Sequence, residues 1–117
     1  MSIKVYGIKN CNTMKKTFDF LGEKGVEYDF IDYKKQKPSA PLLEGFLEKT
    51  ELNSLVNKKG MTYRKMTDEQ KIDLEKQETA LPILIENSSM IKRPVIVYTD
   101  GSLSLGFDAE EIEGKLK

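Results

Sequence analysis

At 117 residues, with 19 basic side chains balancing 19 acidic ones and 38% hydrophobic content, the sequence is that of one domain able to bury a real core. Zero net charge argues against nonspecific binding to nucleic acid or to an anionic membrane. No apolar run reaches the length of a membrane span and no basic-then-apolar leader is read at the start, so a cytoplasmic protein is expected, with its single cysteine reduced.

The first predicted element is a strand over Ile3–Ile8. The short loop Lys9-Asn10-Cys11 leads into a helix from about Asn12 to Lys24, whose Met14, Phe18 and Leu21 make one apolar stripe. Gly25 is a suitable C-terminal stop. A second strand is expected over Val26–Tyr33, where Val26, Tyr28 and Phe30 alternate with charged residues. After a loop over Lys34–Pro38, Ser39 is placed to cap a helix carrying Leu42, Leu43, Phe46 and Leu47. A short helical piece around Leu52, Leu55 and Val56 ends at Lys58-Lys59-Gly60. Thr67 and Gln70 form a capping box for a helix from about Asp68 to Gln77, and another short helix is expected over Pro82–Asn87. No strand is predicted in this middle region.

The β-branched run Val95-Ile96-Val97-Tyr98 is predicted as a strand buried on both faces. Asp100-Gly101 is a hairpin turn signal, and Leu103 and Leu105 alternate with serines in the strand that follows. Asp108 caps a last helix with Ile112 and Leu116 on its inner side. The order is β-α-β, a helical insert over about 39–90, then β-β-α. The opening unit should pair in parallel and the closing hairpin antiparallel. A single domain is expected over residues 1–117: an α/β, thioredoxin-like fold, its mixed four-stranded sheet carrying the helical insertion between strands 2 and 3.

Two features of this layout bear on chemistry. Cys11 stands where the first strand gives way to the first helix, so its thiol meets the unpaired N–H groups and positive dipole end of that helix, which favour the thiolate. Many lone cysteines are inert small hydrophobes, but a loop position beside Lys9 and Asn10 weakens that reading. Of the 19 basic residues only Arg64 and Arg93 are arginine, the residue whose rigid fork suits carboxylates and tetrahedral oxyanions. Arg64 falls in a stretch, Leu52–Thr67, without an acidic residue and with Lys58, Lys59 and Lys65. Either arginine is equally readable as a solvated surface charge. Pro94 is readable as the first residue of a strand, where it removes no internal ladder bond.

Three segments together resemble one family: Tyr6-Gly7-Ile8-Lys9-Asn10-Cys11-Asn12-Thr13, Asn57-Lys58-Lys59-Gly60-Met61-Thr62-Tyr63-Arg64-Lys65 and Ile91-Lys92-Arg93-Pro94-Val95. In this order they are similar to the arsenate reductase ArsC/Spx family, and most to its YffB-like branch. The resemblance implies a thioredoxin fold with a helical insertion, a cis Arg93–Pro94 peptide beside the nucleophile, and Cys11 as that nucleophile. It implies that Arg64 and Arg93, with Lys9 and Asn10, hold an anion against the sulfur, and that glutathione is the cosubstrate rather than any tightly bound cofactor.

Departures from the family pattern narrow the chemistry. Arsenate reductases of the family carry a histidine before the cysteine, and this chain has none. They also carry a third arginine near the last hairpin, where Ser104-Leu105-Gly106-Phe107 stands here. Both differences count against arsenate. The Cys-x-x-Cys switch of the Spx regulators is absent too, because Met14 occupies the second position. One cysteine and no histidine cannot build a typical zinc site, so no metal is expected. The expectation is a monomeric, monothiol, glutathione-dependent thiol reductase acting on a disulfide or small oxyanion, with glutaredoxin a further thiol partner. The alternatives are an arsenate reductase using the same residues and a noncatalytic Spx-like regulator that binds RNA polymerase.

Overall fold

The computed structural model describes residues 2–117, which divide into two compact units: residues 2–33 with Arg93–Lys117, and Lys34–Lys92.

The first unit is built on a mixed four-stranded sheet. Strand β1 (Ile3–Gly7) pairs in parallel with β2 (Tyr28–Asp32) and antiparallel with β3 (Val95–Val97), which pairs antiparallel with β4 (Leu103–Leu105). The strand order is β2-β1-β3-β4, so β1, which leads to Cys11, is a central strand. Helix α1 (Asn12–Glu23) connects β1 to β2, and α7 (Ala109–Leu116) follows β4. Val5, Met14, Leu21, Ile96, Tyr98 and Ile112 form the core of this unit, and burying each aliphatic one of them stabilises the fold by about 1.5–3 kcal/mol.

Local chemistry fixes where α1 ends. Gly25 takes φ +67°, its N–H donates to the Gly22 carbonyl, and the Val26 N–H donates to the Leu21 carbonyl. These are the two bonds of a Schellman motif, and they occupy Val26 in the helix exit. Strand β2 therefore begins at Tyr28, later than alternation predicts, while the Tyr33 N–H adds one more bond, to the Gly7 carbonyl at 2.8 Å.

The hairpin also differs in its buried face. In β4 it is Ser104 that is buried, flanked by half-buried Leu103 and Leu105. Its hydroxyl is satisfied by the Tyr98 hydroxyl at 2.7 Å, which removes the cost of placing a polar group in the core.

The second unit is helical: α2 (Ala40–Leu47), α3 (Leu52–Leu55), α4 (Met61–Arg64), α5 (Asp68–Asp73), α6 (Gln77–Glu86) and a 3₁₀ turn (Ser88–Met90). Ser39 caps α2 through the Leu42 N–H, and Thr67 and Gln70 make the reciprocal capping box of α5. Leu43, Phe46, Leu55, Val56, Leu74, Ala80, Leu84, Met90 and Ile91 are its buried hydrophobics.

Two departures from the predicted pattern occur here. Helix α5 stops at Asp73, and α6 starts at Gln77 with Pro82 inside it rather than at its beginning. The Ala80 N–H already donates to the Lys76 carbonyl at 2.8 Å, so the helix is nucleated before the proline, and burial of Ala80 and Leu84 holds it. The middle region also contains an isolated antiparallel bridge, Val56 to Ile91, flanked by bonds from Asn57 N–H to the Met90 carbonyl and from Lys92 N–H to the Leu55 carbonyl.

Candidate functional site

Cys11 is the N-cap residue of α1, with extended backbone (φ −146°, ψ 134°), and its carbonyl accepts the first helical bond from the Lys15 N–H at 3.0 Å. The loop that delivers it is tight: the Cys11 N–H donates to the Lys9 carbonyl at 3.1 Å. One side of the residue packs on the core and the remainder is open.

The sulfur makes no capping hydrogen bond in the manner of a serine hydroxyl. Its environment nevertheless favours the ionised form. Burial pushes the thiol up, but the N–H groups of Met14 and Thr13, then the Arg93 guanidinium and the Thr13 hydroxyl, outweigh it and bring the pKa below that of an ordinary thiol. The first turn of α1 carries no acidic residue to oppose this.

Beside the sulfur lies an open groove of about 530 Å³. Lys9, Asn10 and Cys11 line it at the loop end. Asn12, Lys15, Phe18 and Asp19 continue it along α1. Phe18, one of its lining residues, is stacked on Tyr28 at 5.9 Å between centroids and edge-on to Phe30 at 5.0 Å.

Of the residues singled out from the sequence, Lys9, Asn10 and Cys11 share this groove, and the charge of Arg93 reaches the sulfur. The Arg93–Pro94 peptide is cis, and the buried Pro94 accepts a bond from the Gly106 N–H at 2.8 Å. Arg64 is the exposed last residue of α4 in the helical unit, with its N–H bonded to the Gly60 carbonyl at 3.2 Å. Lys15 and Asp19 carried no signal as site residues. Their spacing of four and eight from Cys11 is the only hint, since it puts all three on one stripe of α1. Among the described residues no group of three or more His, Cys, Asp or Glu side chains is placed to hold a metal ion. Among them, too, no helix is long and apolar enough to cross a membrane.

With this geometry in view, the relationships of the chain are specific. A family model described as the ArsC family matches residues 6–114. The chain is similar to the YFFB (PA3664) protein, with 34% identity and a TM-score of 0.91 over 99% of this chain and 100% of that one. It is similar to an arsenate reductase (ArsC) related protein from Brucella melitensis, with 37% identity and a TM-score of 0.75 over 100% and 96% of the two chains. The glutaredoxin (grx-1) of Archaeoglobus fulgidus, 17% identical with a TM-score of 0.50 over 99% and 86%, shares the fold alone, which is thioredoxin-like.

Proposed function

The chain belongs to the ArsC family, and from that premise we propose that it is a monothiol, glutathione-dependent thiol–disulfide reductase with Cys11 as its nucleophile. The observation that carries this reading is the sulfur at the N-cap of α1, with N–H groups and an arginine favouring its ionised form and a groove open beside it.

The Cys11 thiolate attacks the glutathionyl sulfur of a mixed disulfide R–S–SG. A Cys11–S–SG bond forms and R–S⁻ leaves. A glutathione thiolate then attacks the glutathionyl sulfur, yielding glutathione disulfide and restoring the Cys11 thiolate. The electron pair comes from glutathione, as it must in a chain with no second cysteine. Arg93 stabilises Cys11 as attacking and leaving thiolate and, with Arg64, Lys9 and Asn10, holds the anionic glutathione against the sulfur. Glutaredoxin is the further thiol partner in this reading, and the protein works as a monomer in the reducing cytoplasm.

The rate of Cys11 alkylation against pH tests the proposal. A midpoint below that of a free thiol, with glutathione adduct formation lost in Cys11→Ser, is the expected result. A midpoint at or above about 8.5, the free-thiol value, overturns it.

A second reading, arsenate reduction by the same sulfur, draws support from the 37% identity to a protein described as arsenate reductase related. The absent histidine and third arginine weigh against it. Arsenate turnover with glutathione and glutaredoxin separates the two.

A further inference from the structure

The groove along α1 contains a charge pattern that the nucleophile itself does not need. Lys15 and Asp19 are adjacent on one helix face, a turn apart, and both line the groove that opens on Cys11. Among the described residues neither takes part in a salt bridge. Both are exposed, and Phe18, which falls between them along the helix, lines the same groove with an apolar ring. A cation and an anion side by side, with an apolar ring between them, match the α-carboxylate and α-ammonium of an amino-acid terminus.

The spacing fits one ligand class. Lys15 and Asp19 stand roughly 6 Å and 12 Å along the helix axis from Cys11, and helical side chains tilt back toward the N-terminus, which brings the Asp19 carboxylate nearer the sulfur. From the cysteinyl sulfur to the α-carbon of a γ-linked glutamyl residue is seven bonds, about 9 Å when extended. A γ-glutamyl peptide whose sulfur lies at Cys11 therefore reaches both side chains with its free amino-acid end. An ordinary α-linked peptide does not present a carboxylate and an ammonium on one carbon.

The geometry points to Lys15 and Asp19 as the subsite that selects a γ-glutamyl thiol, Lys15 binding its α-carboxylate and Asp19 its α-ammonium. This rests on the reading of Cys11 as a glutathione-linked thiol, and it names which part of glutathione is recognised and by which residues. Phe18 packs under the glutamyl methylenes. The loop-side Lys9 is left for the glycine carboxylate at the other end.

The test uses S-methylglutathione, which has no free thiol, so binding is read without any reaction at Cys11. Titration into the full chain, followed by NMR, should shift the backbone signals of Lys15, Phe18 and Asp19. The S-methyl derivative of glutaryl-cysteinyl-glycine, which lacks only the α-ammonium, should bind about three- to fivefold more weakly, the size of effect an exposed ion pair supplies. Asp19→Asn should weaken S-methylglutathione by the same factor and leave the deaminated analogue unaffected, because the two changes remove one contact. Lys15→Glu should weaken both ligands. Equal binding of the two ligands to the natural chain, additive losses in Asp19→Asn, or shifts confined to residues outside α1 overturn the subsite. The outcomes separate from those of the reductase reading: an unreactive Cys11 with ammonium-dependent binding sinks the reductase and keeps the subsite. A reactive Cys11 without ligand discrimination does the reverse.

Discussion

Gly7, the last residue of β1, lies so close to Met14 that a Cβ at position 7 would fall 2.6 Å from the Met14 sulfur and 2.7 Å from its methyl carbon. Glycine there lets the first turn of α1 seat directly on the end of the central strand. Met14 also supplies one of the N–H groups that stabilise the Cys11 thiolate. The contact thus links sheet packing to the chemistry of the sulfur.

Gly7→Ala should therefore act on both. Overpacking of this kind costs about 1–3 kcal/mol, read as a lower urea midpoint. Displacement of Met14 should also raise the pH midpoint of Cys11 alkylation. Met14→Ala makes room for the new methyl group, so the double variant should lose less stability than the two single losses combined. An unchanged alkylation midpoint in a folded Gly7→Ala would show that Met14 does not set the position of α1.

Arg93 should matter to Cys11 through charge. Arg93→Gln removes a term that lowers the thiol pKa, so the alkylation midpoint should move upward, and more at low than at high salt. Arg93→Lys should keep part of the effect and weaken glutathione capture. Arg64→Lys should weaken capture as well, because both arginines hold the anionic ligand; an unchanged capture rate in both lysine variants would remove the anion cradle.

Stability should depend on pH through the same thiol. The folded state lowers the Cys11 pKa, so ionisation stabilises the fold; the contribution is complete above the unfolded thiol value and is lost as pH falls through the folded one. The stability gap between the natural chain and Cys11→Ser should accordingly widen as pH rises through this window. Thermal unfolding of both proteins across the window measures it, and a gap that is flat or narrows with pH contradicts the lowered pKa.

The buried hydroxyl pair of Tyr98 and Ser104 should show strong coupling. Tyr98→Phe or Ser104→Ala alone leaves one buried hydroxyl unsatisfied, at a cost of about 1–3 kcal/mol. The double variant should cost less than the sum, because neither group is then left unpaired. Urea denaturation of the four proteins closes the cycle; additive losses would mean that the pair contributes nothing specific.

Much of the framework is readable from short stretches. Ser39, Thr67 with Gln70, and Asp108 each begin a helix where their side chains suggest, because a cap needs only an oxygen and an N–H two or three residues away. Gly25 ends α1 for an equally local reason, its positive φ. Sequence missed what depends on packing: the start of α6 ahead of Pro82, where burial of Ala80 and Leu84 overrides a helix breaker, and the inward turn of Ser104 rather than its leucine neighbours. The cis peptide before Pro94 is expected from the family resemblance and is found; periodicity alone does not give it, since an X–Pro step is compatible with either isomer.

By itself the sequence determined the order of the elements, their caps, and the placement of a lone cysteine between a strand and a helix, all consequences of interactions within a few residues. Only the tertiary structure decided what surrounds that sulfur. The approach of Met14 to Gly7, the reach of the Arg93 charge to Cys11 and the groove shared by Lys9, Lys15 and Asp19 all follow from how α1 lies against the sheet. That seating is fixed by the volumes of side chains distant in sequence, which no local pattern records.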